Sequence, residues 1–234
     1  MIGLALVVSL LNPAAARFDA EVHAIEARRQ ALATAYRTAG PAKRRALRDE
    51  ARAAVVGAIR ARVFPAWMGM PWGLGRNSTA RRPFEPGKVV GCSYFLTSVL
   101  QNAGLKLSNR YHFAQAPALE IQRSLAPARK DMHRFLSIPP AELSRRIAAL
   151  GDGLYVIGLN NHVGFVDVDG GRVNVVHASY TDDQVVIAEP LAEAEVIANS
   201  QRAGYFVSPI FQDDRLVEHW LKGRAVPFTG RRPR

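Results

Sequence analysis

Cys92 is the chain's only cysteine, and the segment Gly91-Cys92-Ser93 opens a run of helical character, residues 91–105. Apolar residues recur at helical spacing along this run, which predicts a helix with Cys92 in its first turn. The nucleophilic form of cysteine is the thiolate, and the free N–H groups and dipole of a helix N-terminus stabilise an anion. The same N–H groups can bind an oxyanion. We expect Gly91 to let the backbone turn tightly into the helix and Gly104 to end it.

A lone cysteine is otherwise a small buried apolar residue, so a catalytic interpretation needs a base elsewhere. His162 opens one β-rich run and His177 lies near the end of the next, and the turn Asp169-Gly170-Gly171 joins the two runs as a hairpin. With the turn centred near Gly170, residue 162 faces about residue 178, which makes the two histidines neighbours across the hairpin. A histidine beside a second polar residue and facing such a cysteine is the minimum apparatus for thiolate catalysis. Taken singly, each histidine also fits a half-buried strand position.

Helical patterns come before these runs in the chain. Two Ala- and Arg-rich segments, residues 18–39 and 41–63, have apolar residues at helical spacing, and Gly40-Pro41 separates them. They predict a helical hairpin. Residues 64–91 show no sustained period and predict a long ordered loop. Two further helices are predicted at residues 118–125 and 140–150.

The second half of the chain is β-rich. Its short β runs are residues 154–159, 162–168, 172–179, 184–188 and 205–210. Turn residues separate them, which favours an antiparallel meander, with one more short helix near residues 190–200. Helices followed by an antiparallel sheet predict the α+β class.

Four segments, taken in order, resemble the NlpC-type branch of the papain-like cysteine peptidases, the bacterial cell-wall endopeptidases. They are Gly69-Met-Pro-Trp-Gly-Leu-Gly75, similar to G-x-P-Y-x-x-G-G; Gly91-Cys92-Ser93, similar to D-C-S; Asn161-His162-Val163-Gly164-Phe165, similar to H-V-G-I; and Val176-His177-Ala178-Ser179, similar to I-H-A-S. Gly151-Asp152 also matches the G-D-L before the family's first strand. The resemblance covers roughly residues 66–210.

The resemblance implies a papain-like domain in which the catalytic cysteine, at a helix N-terminus, packs on an antiparallel sheet of five to six strands. Cys92 is then the nucleophile, His162 the base, and His177 the residue that orients His162. The resemblance and the local sequence together assign oxyanion or substrate binding to Trp72, Ser93, Asn161 and Arg76, and imply neither a cofactor nor a metal.

Three departures from the family's pattern concern the substrate. Gly91 stands where Asp is usual, and Trp72 stands where Tyr is usual. The stretch Arg76–Val90 enlarges the loop before Cys92 and carries four basic side chains. These side chains would either line the cleft and bind the carboxylates of an acidic peptide or solvate the loop.

Residues 1–16 carry no charge, run apolar from Ile2 to Leu11 and end in three alanines, which predicts a secretory signal peptide without the usual basic start. The alternatives are a buried helix or an uncleaved anchor. No apolar run reaches the roughly 20 residues that span a bilayer. We therefore expect a periplasmic or extracellular protein, divided into a signal peptide (1–16), a helical hairpin (17–63), a catalytic domain (64–212) and a basic C-terminal tail (213–234).

The net charge of the 234-residue chain is +11, and the excess lies at its two ends. Residues 17–63 carry 11 basic and 5 acidic side chains, residues 222–234 carry 5 basic and no acidic ones, and residues 64–221 are neutral. Because zinc-finger spacing and aromatic RNA motifs are missing, we do not expect a nucleic-acid partner. The basic ends instead suggest contact with an anionic envelope polymer, or simply solvated helix faces.

The sequence thus predicts an exported cysteine hydrolase that cleaves an amide bond, with peptidoglycan stem peptides as the substrate that the resemblance implies. Two alternatives stay open. One is an amidase or acyltransferase acting on another N-acyl compound. The other is a non-catalytic member that binds peptide or wall polymer in the same cleft.

Overall fold

The computed structural model describes residues 12–126, 128–181 and 183–230. Its helices are α1 (Pro13–Thr38), α2 (Pro41–Ala58), α3 (Phe64–Trp67), α4 (Cys92–Asn102), α5 (Arg110–Gln115), α6 (Ala118–Leu125), α7 (Pro140–Ala148), α8 (Glu195–Ser200) and α9 (Asp214–Lys222). A π-helical turn, Ile59–Val63, continues α2 into α3. The strands are β1 (His133–Phe135), β2 (Gly153–Leu159), β3 (His162–Asp169), β4 (Arg172–Ala178), β5 (Val186–Pro190) and β6 (Tyr205–Ile210).

The six strands form one antiparallel sheet in the order β1-β6-β2-β3-β4-β5. Alternate side chains of β3 belong to two hydrophobic clusters: Phe165 packs with α4 and the N-terminal helices, whereas Val166 packs with α7 and α8. Helices therefore cover both faces of the sheet. The α+β class and the antiparallel sheet expected from the sequence are confirmed.

The β3–β4 hairpin corrects the predicted register by one residue. Asp169 pairs with Arg172 across a two-residue turn, in which Gly170 and Gly171 have φ angles of 55° and 80°. Two consecutive residues at positive φ are the geometry of a type I′ turn, one of the two turns that two-residue hairpins favour, and glycine adopts it without strain. The turn is thus centred between the two glycines and not on Gly170. Because side chains alternate between faces, one residue of register decides which of them share a face.

Helix α4 forms as the apolar spacing predicts, and it lies against the centre of the sheet. The expected stripe is fully buried and consists of Phe95, Val99, Leu100 and Ala103. The Phe95 ring meets Phe165 of β3 edge-on at 5.9 Å and Trp67 of α3 at 5.7 Å. Such edge-to-face contacts are favourable aromatic geometries, so α4 is fixed against both the sheet and the segment that leads into it.

Helices α1 and α2 form the expected hairpin, whose buried residues include Ile25, Leu32, Ala51 and Val55. The residues expected to form a basic tail contain α9, a helix that packs on this hairpin. Its buried side chains are Leu216, Val217, Trp220 and Leu221. The apolar spacing of a helix was present in the sequence, but the basic residues after position 221 obscured it.

The ordered loop before α4 contains short β-bridges at Pro71, Trp72, Thr79 and Val90. Of the predicted signal peptide, residues 1–11 lie outside the described residues. Asn12 caps α1, its side-chain oxygen accepting a hydrogen bond from the Ala14 N–H at 3.0 Å. Residues 13–16 form the first turn of α1. No helix in the described part of the chain combines the length and apolar character needed to cross a membrane.

Candidate functional site

Cys92 is the first residue of α4 and is half-buried. Gly91 caps this helix with φ −81° and ψ 158°, an extended conformation that any residue adopts. The expectation that Gly91 is needed for a tight bend is therefore wrong. A side chain at position 91 would meet only ordinary contacts, the nearest at 3.5 Å from the Gly73 carbonyl oxygen. Cys92 therefore lies at the helix N-terminus because α4 begins at this residue, and not because a glycine is needed before it.

Burial raises the pKa of the Cys92 thiol, because removal from water disfavours the thiolate. Hydrogen bonding by the backbone N–H groups of Val163, Ser93 and Cys92 itself acts in the opposite direction on this pKa, but more weakly. Two of these groups belong to the first turn of α4, and the third follows His162 in β3. The sulfur thus lies where the start of α4 meets the start of β3, with N–H donors around it.

His162 and His177 are both buried and directly hydrogen-bonded, with 2.9 Å between Nε2 of His162 and Nδ1 of His177. The other nitrogen of His177, Nε2, lies 2.9 Å from Oε1 of Glu189 on β5. Three side chains from three neighbouring strands therefore form one hydrogen-bonded chain. Glu189, its outer end, was not predicted from the sequence.

The corrected register explains how the two imidazoles meet. It places Gly164 opposite His177, so that His162, two residues before Gly164, shares a face with His177 and lies diagonally across from it. The predicted register would have put the histidines on opposite faces. Gly164 also leaves room for the contact, since a Cβ there would lie 2.9 Å from the His177 Cβ. On β5, Ile187 pairs directly with His177. Glu189, two residues further along β5, therefore shares a face with His177 and lies diagonally across from it.

The carboxylate at one end of this chain determines the tautomer at the other. A carboxylate only accepts, so Nε2–H of His177 donates to Glu189. Nδ1 of a neutral His177 then has no proton and accepts from Nε2–H of His162. Nδ1 of His162 is consequently left with a free lone pair. Burial, and next the proximity of His177, lower the pKa of His162 to about 3, so this imidazole is neutral at ordinary pH.

Cys92 and His162 line one cavity of about 830 Å³. In the described part of the chain no hydrogen bond joins the Cys92 sulfur to His162, and the hydrogen bond of the His162 ring is the one to His177. The cavity walls come from the loop before α4, from α4, α5 and α6, and from the β2–β3 turn. Cys92 and His162 therefore border the same cavity, which these elements enclose together.

The other predicted site residues are placed differently. Arg76 and Asn161 line the cavity and are exposed, and Asn161 has a left-handed φ of 60° in the β2–β3 turn. Ser93 also lines it, but its hydroxyl donates to the Ala114 carbonyl oxygen at 2.5 Å and so ties α4 to α5. Trp72 does not line this cavity. Its ring lies 6.3 Å from Tyr180, whose ring in turn stands edge-on to His162 at 5.3 Å.

Comparison with family models, with curated proteins and with solved structures finds no match for this chain. Among the described residues, no three His, Cys, Asp or Glu side chains are grouped as a metal ion would need. What the site offers is a thiol among N–H donors, a buried base with a fixed tautomer, and an open cavity beside both.

Three residues of the site were missed in the sequence. Glu189 lies one residue beyond the run predicted as strand 184–188, and only the sheet register shows that it reaches His177. Tyr180 follows the His177 strand directly, but an aromatic residue there carries no signal of contact with His162. Tyr111 lines the cavity from α5, a helix of six residues that is too short for a periodic pattern.

Proposed function

We propose that this protein is a cysteine hydrolase that cleaves an amide bond, with Cys92 as nucleophile, His162 as general base and acid, and His177 as the residue that orients His162. The hydrogen-bonded chain from His162 through His177 to Glu189 carries the proposal. It leaves a lone pair on Nδ1 of the buried His162 imidazole, and His162 lines the same cavity as Cys92.

The reaction begins when the Cys92 sulfur attacks the amide carbonyl carbon and its proton passes to Nδ1 of His162. The carbonyl oxygen becomes an oxyanion, which the N–H groups around Cys92 can stabilise. Collapse of this intermediate breaks the C–N bond, the amine leaves with the proton from His162, and a thioester remains on Cys92. Water then attacks the thioester after giving a proton to His162, and the acid is released as that proton returns to the sulfur.

His177 and Glu189 support the base in both steps. Nε2–H of His162 is held by His177, so the ring keeps one orientation while Nδ1 gains and loses its proton. As His162 becomes cationic, the carboxylate of Glu189 offsets that charge through His177. Without Glu189, His177 alone would stabilise the His162 imidazolium less.

We propose peptidoglycan stem peptides as the substrate, and the periplasm or the cell exterior as the place of action. The order and spacing of the segments around Trp72, Cys92, His162 and His177, which resemble those of the NlpC-type cell-wall peptidases, support this part of the proposal. The basic N-terminal hairpin would add attraction to an anionic envelope.

The test is digestion of purified wall fragments by the parent protein and by Cys92→Ala. We expect the parent to release peptide fragments and the variant to release none, with circular dichroism showing the same fold. A Cys92→Ala protein that digests the fragments as fast as the parent would show that the mechanism is wrong. Release of whole stem peptides, in place of cleavage within them, would identify an amidase.

Two observations favour a second candidate, a non-catalytic module that binds peptide in the same cavity. Burial raises the pKa of Cys92, and no hydrogen bond to His162 is formed in the described structure, as expected for an unactivated thiol. If the parent and Cys92→Ala bind wall fragments equally well and neither cleaves them, the protein is a binding module and not a hydrolase.

A further inference from the structure

A second cavity, of about 650 Å³, lies between α1, the start of α2, the segment after α4 and the end of α9. Of the described residues that line it, none is acidic and five are basic: Arg29, Arg37, Arg44, Lys106 and Lys222. A concave site lined by charges of one sign attracts ligands of the opposite sign. We call this cavity the basic pocket.

Two of these basic side chains satisfy carbonyl oxygens at the ends of helices. Arg29 is buried and donates to the Trp220 and Leu221 carbonyl oxygens near the end of α9, at 3.2 Å each. Arg44 donates from Nε and Nη2 to two carbonyl oxygens in the last turn of α1, at 3.3 Å each. Cations at helix C-termini offset the negative end of the helix dipole. The fold alone therefore accounts for the positions of these two arginines.

Positive charge is left over after these contacts and the ion pairs. Two of the five cations are paired with carboxylates, Arg29 with Glu26 and Lys222 with Glu218. Arg37 and Lys106 are exposed and form no ion pair within the described chain. The packing of the hairpin on α9 does not explain why both of them line the same cavity.

The buried Tyr36 ring helps to order the basic pocket. The guanidinium carbon of Arg44 lies 5.4 Å from the centre of this ring, and Nζ of Lys222 lies 5.6 Å from it. Such cation–π contacts restrict long side chains that would otherwise move in solvent. Cations that are already ordered lose less conformational entropy when a ligand binds.

The basic pocket is separate from the Cys92 cavity. Cys92 is the first residue of α4, whereas Lys106 follows the C-terminal end of that helix. A helix rises about 1.5 Å per residue, so the 11 residues of α4 place its two ends about 15 Å apart. No described residue lines both cavities. A ligand in the basic pocket would therefore not be the molecule that Cys92 attacks.

A phosphate group suits this pocket better than a carboxylate does. A phosphate monoester carries a charge of about −1.5 to −2 at pH 7 on one compact group with three acceptor oxygens. Arg37 belongs to α1 and Lys106 to the segment after α4, so a ligand group that accepts from several directions matches them. A carboxylate has a single charge, and its two oxygens lie in one plane.

We propose that the basic pocket binds a phosphate-bearing ligand, with the phosphate on Arg37 and Lys106 and with Arg44 as a third donor. Arg44 can take this part because its carbonyl contacts use Nε and Nη2 and leave Nη1 for the ligand. The site is independent of the chemistry at Cys92. It also differs from a diffuse attraction between basic helices and an anionic polymer, because it depends on particular residues.

Calorimetry on the full chain tests the proposal with pyrophosphate as the probe. Citrate, which carries comparable negative charge on carboxylates, is the comparison. We expect pyrophosphate to bind about tenfold more tightly than citrate. The double variant Arg37→Gln/Lys106→Gln should lose about tenfold or more in affinity for pyrophosphate, with circular dichroism showing an unchanged fold.

The matched control is Lys43→Gln/Arg45→Gln, which removes two positive charges from exposed positions of α2 that do not line the pocket. It should bind pyrophosphate as the parent does. No binding of pyrophosphate, equal binding of citrate, or equal losses in the two double variants would overturn the proposal.

Vesicles of phosphatidylcholine, with and without phosphatidic acid, identify where the phosphate comes from. Vesicle binding that needs phosphatidic acid and is lost in Arg37→Gln/Lys106→Gln supports the site and indicates a lipid headgroup. Pyrophosphate binding without vesicle binding supports the site and indicates a soluble ligand. Because none of these measurements involves hydrolysis, their failure would leave the proposed function of Cys92 as it stands.

Discussion

At the scale of single residues, Glu189 decides which nitrogen of His162 is free. The sequence predicted Cys92, His162 and His177 as a set, because a lone cysteine at a helix start and two histidines across a hairpin are visible as patterns. It could not predict Glu189, since contact with His177 depends on the diagonal between β4 and β5. Packing across the whole sheet sets the β4–β5 register, so the sequence of either strand alone does not determine it.

Replacing Glu189 by glutamine tests the tautomer argument. The amide of Glu189→Gln can turn its NH₂ toward His177, which allows the reversed chain in which Nδ1 of His162 carries the proton. We expect kcat for amide hydrolysis to fall on the order of tenfold or more with a small change in KM, because the base loses its lone pair in that state. ¹⁵N NMR of the His162 ring reads the tautomer directly and without turnover.

The control for this experiment is Glu193→Gln, which changes an exposed carboxylate close in the chain. It should leave the kinetics and the His162 nitrogen shifts as in the parent. Glu189→Gln should also keep a melting temperature near that of the parent, since its target lies at the edge strand of the sheet. An unchanged His162 tautomer in Glu189→Gln would show that Glu189 does not direct the base.

The ionisation of Cys92 gives a pH-dependent prediction. Since its pKa is raised by burial, a smaller fraction is thiolate at neutral pH than for an ordinary thiol, whose pKa is about 8.5. Alkylation by iodoacetamide in the absence of substrate should therefore be slow at pH 7 and should rise with a midpoint above that of free cysteine. The pKa of His162, about 3, means that no imidazolium is present to lower this midpoint.

His162→Gln is the matched control, and its alkylation midpoint should differ little from that of the parent if the resting pair is neutral. If the parent's alkylation midpoint lies well below pH 8.5 and His162→Gln raises it to the value of free cysteine, the resting enzyme instead contains a preformed thiolate–imidazolium pair. In that case proton transfer precedes the binding of substrate and does not accompany the attack.

At the scale of secondary-structure elements, the β3–β4 hairpin is what brings the two histidines together. The sequence indicated both strands and the Gly170-Gly171 turn, but the pairing was displaced by one residue. Long elements with a clear apolar period, such as α4, were predicted closely. The elements that were missed are short, as β1 and α5 are, or are masked by charge, as α9 is.

Gly164→Ala tests the hairpin geometry. The added Cβ would lie 2.9 Å from the His177 Cβ and 3.2 Å from the Val176 carbonyl oxygen, so β3 and β4 must shift. We expect the free energy of unfolding to fall by about 1–3 kcal/mol, and kcat to fall as the His162–His177 hydrogen bond is disturbed. Urea unfolding and hydrolysis kinetics measure the two effects.

The matched control is Gly57→Ala, in α2, where an added Cβ meets no atom within 4 Å. This substitution should stabilise the protein by about 0.5–1 kcal/mol through helix propensity and leave activity unchanged. If Gly164→Ala is as stable and as active as the parent, the close approach at Gly164 is not what sets the histidine pair.

At the scale of the whole molecule, the helical hairpin and the sheet share one core. A single hydrophobic cluster contains Ile25 of α1, Val55 of α2, Phe95 of α4, Phe165 of β3 and Trp220 of α9. The boundaries placed at residues 63/64 and 212/213 therefore do not separate independent cores. Arg29 of α1 is buried and donates to the carbonyl oxygens of Trp220 and Leu221 in α9, so at least one of the basic side chains of the hairpin takes part in the packing between the two ends of the described chain.

Trp220 is the residue that most directly links these parts. It is 1 % exposed, and its indole N–H donates to the Ala103 carbonyl oxygen at 2.7 Å, at the C-terminal end of the helix that Cys92 begins. Trp220→Ala should cost about 3–5 kcal/mol, because it leaves both a cavity and an unpaired buried carbonyl. The control Leu74→Ala removes an exposed side chain and should leave the stability close to that of the parent.

Because the core is shared, we expect the stability lost in Trp220→Ala to affect the hairpin, α9 and the Cys92 site together. Helix content and the accessibility of the Cys92 thiol to a colorimetric reagent should change in one coincident urea transition, which Trp220→Ala moves to lower urea as a unit. Two separate transitions, with the thiol protected after the first, would mean that the hairpin and α9 unfold independently of the site. A single transition makes the N-terminal hairpin part of the scaffold that holds Cys92 in place, whatever its basic outer face contacts.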